Sequence, residues 1–277
     1  MARPKSKTKK ILFAVEIIVL LLFIGGLYVY GQLNSKLDKI NQPVLDDSKI
    51  KVNQEVQDSI DSQESTLTGY TTYALFGIDH RDKNTALGGE NSDTIIIASV
   101  NNDTKDVKLV SVYRDSYLDT GNGTYQKCNA AYAKGGPEQA LSMLNTNLDL
   151  AITDYVTVDF NAIIECVDLL GGVDITITDD EASLMIGYMK ELNELTGHNS
   201  TPPASGGTYT LDGVQACAYA RIRYGGGDDY RRTERQRTVL TAMMQKAQKS
   251  NILTLNKLIN AAFGDIQTSF SNTDLLA

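Results

Sequence analysis

Residues 11–30 form an almost unbroken apolar run, interrupted by Glu16 and the Gly25-Gly26 pair. About twenty helical residues cross the hydrocarbon core of a bilayer, so the run predicts one transmembrane helix. Residues 1–10 carry Arg3, Lys5, Lys7, Lys9 and Lys10 with no acid. The positive-inside rule then keeps this basic tail cytoplasmic and places everything after Tyr30 outside the plasma membrane. A cleaved signal peptide is the competing reading. The length of the run and the lack of a small-x-small site after it oppose that reading. Glu16 lies near the inner end, within reach of the headgroups.

Residues 31–68 are polar with isolated aliphatics. Leu33, Leu37 and Ile40 keep helical spacing until Pro43 interrupts it. This stretch is either an extracytoplasmic stalk or a plain linker. From about Gly69 the pattern becomes that of a globular domain, 69–277, large enough to bury one core. Short β-branched runs at 72–78, 94–100 and 107–112 are bounded by Asn, Asp and Gly. Their near-continuous hydrophobicity predicts central strands covered on both faces. Further strands are expected at 155–158 and 173–178.

Helices are predicted at 137–148, with Pro137 in the first turn, and at 161–170, stopped by Gly171-Gly172. Another is expected at 179–195, opening on acids that suit a helix N-terminus. The segments 211–220, 231–249 and 253–263 also carry helical periodicity. Strands interleaved with helices give an α/β fold, one mixed central β-sheet sandwiched by helices, preceded by the N-terminal transmembrane helix.

The formal charge is −8, and setting aside the basic tail leaves the remainder more acidic still. Such a surface opposes broad nucleic-acid binding. Against that background Arg221, Arg223, Arg231, Arg232, Arg235 and Arg237 crowd into one short stretch around Gly225-Gly-Gly227. Guanidiniums gathered in an acidic protein point to a bound anion, since the planar fork matches phosphate or carboxylate oxygens in pairs. If extended, Arg221 and Arg223 share a face. Asp229 suits a helix N-cap. Arg232 and Gln236 then lie one turn apart on one helix face, while a solvated helix face accounts for Arg231, Arg235 and Arg237. The glycine run predicts a mobile loop or lid.

Asp79 follows a predicted buried strand and Asp93 precedes the next. If those strands are neighbours, both carboxylates meet at one sheet edge, where they suit magnesium shared with phosphate oxygens. As a bland alternative, each Asp is a turn or cap residue. Arg114 closes the third strand and can join the same edge. His80 and His198 are the only histidines, too few for a zinc site or a wide choice of triad bases. The chain has no GxSxG and no Walker loop. Cys128, Cys166 and Cys217 show no metal spacing. Cys166 lies on an apolar helical face, which predicts core packing. Cys128 and Cys217 could form a disulfide, and three reduced thiols are equally allowed.

In this order Gly77-Ile-Asp79, Asn91-Ser-Asp-Thr94, Ser111-Val-Tyr-Arg-Asp115, Lys127-Cys-Asn-Ala-Ala-Tyr132, Leu169-Leu-Gly-Gly-Val-Asp174, Leu211-Asp-Gly213, Tyr219-Ala-Arg-Ile-Arg223 and Asp229-Tyr-Arg-Arg-Thr-Glu-Arg-Gln236 resemble the LytR-CpsA-Psr family of Gram-positive envelope phosphotransferases. The resemblance implies transfer of an anionic glycopolymer, such as teichoic acid or capsule, from a polyprenyl-diphosphate carrier onto peptidoglycan. It implies Asp79 and Asp93 as magnesium ligands. Arg114, Lys127, Arg221, Arg223, Arg232 and Gln236 would contact the diphosphate. Arg114, Asp229 and Arg232 would act in catalysis, and an apolar channel would take the polyprenyl tail. Rival readings are a sensor that binds such precursors without turnover and a transcriptional attenuator. Tyr113 stands where the family usually has Pro, and the family normally continues through another helix beyond Ala277.

Overall fold

The computed structural model describes residues 41–62, 69–80, 87–223, 228–251, 253–254, 257–258 and 266–271. The expected span at 11–30, the glycine loop at 225–227 and most of the expected helix at 253–263 lie outside them. No described helix is long and apolar enough to cross a membrane. The strands are β1 (Tyr70–Ile78), β2 (Ser92–Asn101), β3 (Val107–Ser111), β4 (Tyr117–Asp119), β5 (Tyr125–Lys127), β6 (Asp154–Val158), β7 (Val173–Ile177), β8 (Gly207–Leu211) and β9 (Ile266–Thr268). The α-helices are α1 (Gln54–Asp61), α2 (Ala130–Leu148), α3 (Phe160–Leu169), α4 (Asp179–Thr196), α5 (Gly213–Arg221) and α6 (Asp228–Gln248).

The central sheet runs β3-β2-β1-β6-β9, with β1 antiparallel to β2 and parallel to β6. It is therefore mixed and flanked by helices. Hairpins β4-β5 and β7-β8 stand apart from it. The strand at 107–112 was expected to be central. It is an edge, and Val110 is 55% exposed. Residue 211 ends β8 instead of opening a helix, because Asp212 caps α5 with Gln215 in a capping box. Thr178 and Glu181 make the same box at the start of α4. Gly135 and Gly136 break α2 just before Pro137, so the predicted helix begins where proline is tolerated.

Side-chain alternation divides the sheet. Ala74, Phe76, Ile78, Ile95, Ile97 and Tyr155 pack with Tyr132, Leu141 and Leu144 of α2 in one buried cluster. A second cluster joins α3, α4, α5 and α6 to the β7-β8 hairpin. Leu75, Thr94, Ile96, Val156 and Val158 point the other way from the first cluster, as period-2 strands require. They floor a cavity of about 880 Å³ between the sheet and α3, α4, α5 and α6. Cys128 belongs to the first cluster, Cys217 to the second, and all three thiols are free. The possible Cys128–Cys217 disulfide is thus absent.

Part of the expected stalk lies on the domain. The Lys51 amide donates to Ser142 Oγ at 2.9 Å, and Asn53 Nδ2 donates to the Thr146 carbonyl at 3.1 Å. Leu45 and Ile50 pack against the α2 side of the core.

Candidate active site

The site grows from a register shift. Gly77 pairs with Thr94 and Ile78 with Ser92, leaving Asp93 as the extra residue on β2. An extra residue bends the strand and re-aims its side chain. Gly77 is required there, since a Cβ on it would stand 2.9 Å from Thr94 Cβ. Asp79 follows the last residue of β1, so the two aspartates stand at the same end of the paired strands; Asp93 lines the cavity described above.

Arg114 sits three residues past β3, in a turn stitched to the start of α2. The Asn129 amide donates to the Arg114 carbonyl at 3.1 Å, and Cys128 Sγ donates to the Tyr113 carbonyl at 3.1 Å. The guanidinium turns to Asp93, with Nη1 donating to Oδ1 at 2.6 Å.

Arg221 is the last residue of α5. That helix approaches α3 closely because Gly213 has no side chain, and a Cβ would meet Ile164 O at 2.2 Å. The approach sets Arg221 over the Phe160 ring, 4.5 Å from its centroid, a cation–π contact of about 0.5–2 kcal/mol. Its Nη2 lies 3.4 Å from Glu191 Oε2. Arg223 lies beyond the helix, so the pair was not one extended segment, yet both residues line the same cavity.

From the other side α6 brings Asp229, Arg232 and Gln236 to the same mouth. Asp229 lies inside the helix and is not its N-cap. Its Oδ1 is 3.2 Å from Arg232 Nη2 and 4.0 Å from Arg223 Nη2. Arg232 is 3% exposed. Burial, and then the Arg114 charge, push its pKa below the ordinary guanidinium value; it stays charged at any physiological pH. Arg235, expected on a solvated face, is buried. Its Nε donates to Glu181 Oε1 at 2.7 Å, tying α6 to α4. Arg231 faces away with it, in a different pocket, and Arg237 Nη1 donates to Ser111 Oγ at 2.7 Å.

Among the described residues, eight buried side-chain polar atoms make no hydrogen bond, and six belong to Arg114, Arg221, Asp229, Arg232 and Gln236. Buried polar atoms in folded proteins are nearly always satisfied. Their concentration at one mouth marks a place prepared for a polar ligand. Lys127 stands further out, exposed, with Nζ 2.7 Å from Asp115 Oδ1. That hydrogen bond is the main cause holding the Asp115 carboxyl below its usual range, and a contact with Asp229 adds to it.

Away from the charged end the cavity is apolar. Its walls include Phe160, Ile163, Cys166, Tyr188, Val239 and Met243. Cys166 was expected to be plain core packing; it lines this space instead. Burial pushes its thiol up to about 11, and Cys217 up to about 12, where the nearby Asp79 and Asp159 charges add to the effect.

A magnesium ion shared with phosphate needs only one or two carboxylates from the protein, the rest of its shell being phosphate oxygens and water. Of the two expected ligands, Asp93 lines the cavity mouth, while Asp79 stands at the same end of the sheet. No group of three or more His, Cys, Asp or Glu side chains forms a closed cage among the described residues.

Sequence reasoning overlooked Asp159, Asp115 and Glu191. Asp159 caps α3, accepting from the Ala162 amide at 2.9 Å, and lines the mouth. An Asp just before an apolar helical period is a readable cap signal. The other two act only through tertiary contact, which no local pattern announces. His80, buried beside Asp79, is paired through Nδ1 with Glu90 Oε1 at 2.7 Å.

An apolar cavity closed at one end by guanidiniums and carboxylates defines an α/β protein for an amphiphile with an anionic head. The comparisons with known proteins agree. The LytR_cpsA_psr family model matches residues 27–277, and the chain belongs to that family. The polyisoprenyl-teichoic acid–peptidoglycan teichoic acid transferase TagU of Enterococcus faecalis is 31% identical over 277 residues, 98% of this chain and 82% of the relative. A structure of TagT bound to LI-WTA has a TM-score of 0.60 and 26% identity, covering 76% of this chain and 72% of the other. The family protein YwtF (TagT) with bound octaprenyl pyrophosphate lipid has a TM-score of 0.52 and 26% identity, covering 71% and 74%.

Proposed function

We propose that this protein transfers an anionic glycopolymer, teichoic acid in the first instance, from a polyprenyl-diphosphate carrier onto peptidoglycan. One observation carries the reading. Guanidinium nitrogens of Arg221 and Arg232 that make no hydrogen bond among the described residues stand at the mouth of an apolar cavity, so one site offers a diphosphate grip and a lipid sleeve together. Relatives named as teichoic acid transferases, and a family structure holding octaprenyl pyrophosphate, support it.

Arg114, Arg221, Arg223, Arg232 and Gln236 hold the diphosphate, with Lys127 at the outer rim. The polyprenyl tail lies along Leu75, Ile96, Val156 and Val158. A sugar hydroxyl of peptidoglycan attacks the phosphorus that carries the glycan. A new P–O bond forms, the bond to polyprenyl phosphate breaks, and the hydroxyl proton passes to a carboxylate, Asp229 in this reading. Phosphoryl transfer of this kind depends on charge stabilisation and in-line positioning more than on a protein nucleophile. Asp79 and Asp93 would hold magnesium, which supplies charge neutralisation at the phosphate oxygens when bound. Glu191, Asp93 and Asp229 already face the guanidiniums. Relieving Asp93 of that role would leave more cationic charge for the substrate.

In this reading residues 1–10 are cytoplasmic, 11–30 anchor the chain in the plasma membrane, and the catalytic domain works outside it. The test is incubation of the full-length protein, in detergent, with a synthetic polyprenyl-diphosphate glycan, a peptidoglycan oligomer and magnesium. A product whose mass equals acceptor plus glycan phosphate, with polyprenyl phosphate released, is expected. Tight donor binding without turnover would instead establish the sensor reading.

A further inference from the structure

A second groove, of about 610 Å³, adjoins the mouth and shares Asp93 with the apolar cavity. Arg114, Asp115 and Lys127 form its charged wall. Its other wall is the β4-β5 hairpin. Tyr117 pairs with Lys127 across the hairpin, and Tyr125 is the diagonal neighbour on the same face. The two rings lie 5.9 Å apart between centroids, tilted by 36°. Both are turned out to solvent, Tyr117 at 72% exposure and Tyr125 at 56%. Asn91, Gln126 and Asn129 add amide groups around them.

Two rings left this exposed on a short hairpin touch one another and belong to neither buried core cluster. The hairpin itself is held elsewhere: Asn147 Nδ2 donates to the Asp119 carbonyl at 2.8 Å and Gln139 Nε2 to the Thr120 carbonyl at 2.8 Å. The tyrosines are therefore free to serve a ligand. Aromatic faces beside amides and carboxylates match one chemistry well, a pyranose ring. Its C–H face lies on an aromatic ring while its hydroxyl edge bonds to amide and carboxylate groups. The groove also lies where a sugar has to be. If the diphosphate occupies the mouth and the lipid the cavity, the groove beyond Asp93 receives what is attached to, or attacks, the phosphate.

We propose that Tyr117 and Tyr125 form a sugar-binding platform that seats the pyranose next to the reacting phosphate, with Asn91, Gln126 and Asp115 bonding its hydroxyls. The inference rests on the diphosphate reading above. The ring belongs either to the donor glycan or to the peptidoglycan acceptor, and the two sources separate by experiment.

The variants are Tyr117→Ala and Tyr125→Ala in the full-length protein, with Tyr117→Phe keeping a ring. Three measurements are made: binding of polyprenyl diphosphate without sugar, binding of the same lipid carrying its glycan, and KM for a peptidoglycan oligomer. Stacking on one aromatic ring is worth about fivefold to a hundredfold in affinity, by analogy with base stacking. A donor sugar predicts that the alanine variants lose about tenfold for the glycan lipid alone. An acceptor sugar predicts about a tenfold rise in KM for the oligomer alone. In either case Tyr117→Phe behaves as wild type, because the ring and not the hydroxyl does the stacking. If wild type binds the sugar-free lipid and no variant changes either glycan measurement, the platform is wrong and the diphosphate reading stands. If wild type binds neither lipid, both fall.

Discussion

Arg232 and Arg235 lie three residues apart on α6, both nearly buried, and should respond oppositely to the same change. Arg232→Met removes a cation whose Nε and Nη2 make no hydrogen bond among the described residues. Each unsatisfied buried donor costs about 1–3 kcal/mol, and the Arg114 and Arg223 charges oppose this one further. Against that stands the Asp229 contact at 3.2 Å, but the same Oδ1 keeps Arg223 Nη2 at 4.0 Å once Arg232 is gone. The balance is a protein as stable as wild type, or more stable by about 1–2 kcal/mol. Arg235→Met instead strands Glu181, whose Oε1 accepts from Arg235 Nε at 2.7 Å, and frees the Ile222 carbonyl that Nη1 reaches at 3.3 Å. Breaking a buried pair on one side costs about 3–5 kcal/mol.

For a domain this large each kcal/mol moves Tm by about 2–4 °C. Thermal unfolding should therefore hold or rise by a few degrees for Arg232→Met and fall by about 10 °C for Arg235→Met. Glycan transfer should show the reverse order. Losing a transition-state donor costs about a hundredfold to a thousandfold in rate, so Arg232→Met falls by at least a hundredfold. Arg235→Met, assayed well below its melting point, stays within severalfold of wild type. If Arg232→Met lowers Tm as far as Arg235→Met does, or keeps its activity, then Arg232 is a structural residue and the site has been misassigned.

Asp93→Asn or Asp79→Asn should cut transfer at least a hundredfold and flatten its dependence on magnesium. A magnesium titration with a chelator control reads this, and an unchanged curve removes both residues from the metal site. Val158→Phe fills the floor of the cavity, so affinity for octaprenyl diphosphate should drop by tenfold or more while Tm holds; calorimetry of binding checks it, and equal lipid affinity would mean the tail lies elsewhere. Because Asp115 has its pKa depressed, its stabilising effect is present above the unfolded carboxylate range, near pH 4, and is lost as pH falls below it. Lys127→Ala should therefore flatten the acid limb of a stability-against-pH curve; the same limb in both proteins would show that Lys127 does not hold Asp115.

How far the sequence disclosed the site follows from which signals are local. The strands bearing Asp79 and Asp93 were legible because β-branched runs bounded by turn residues are a short-range pattern. Their antiparallel pairing then set the two aspartates at one end of the sheet. Arg232 and Gln236 were legible as one turn of one helix. The role of Arg235 was not, because its burial depends on Glu181, far away in the chain, arriving on α4. The edge position of β3 was hidden as well: Val107, Leu109 and Val110 read as core, while strand order is set by how β1 chooses its two neighbours. Strands β4, β5 and β9, each of three residues, are too short to show alternation. The cavity lining and the exposed Tyr117–Tyr125 pair arise from tertiary contact and are invisible to any local pattern.

The division of the sheet explains how one domain can keep a large cavity without collapsing. Packed cores leave few voids, and an unfilled apolar space forfeits contacts that would otherwise stabilise the fold. Here the α2 face of the sheet is fully packed around Phe76, Tyr132 and Tyr155, and the helices beyond the cavity carry their own cluster around Met185, Leu211 and Val239. Two separate cores thus stand on either side of the space. The cavity can stay open because neither depends on closing it. The charged mouth follows the same logic, since Arg235–Glu181 and the capping boxes of α4 and α5 fix the helix ends. Arg221 and Arg232 thereby keep buried donor atoms that make no hydrogen bond among the described residues.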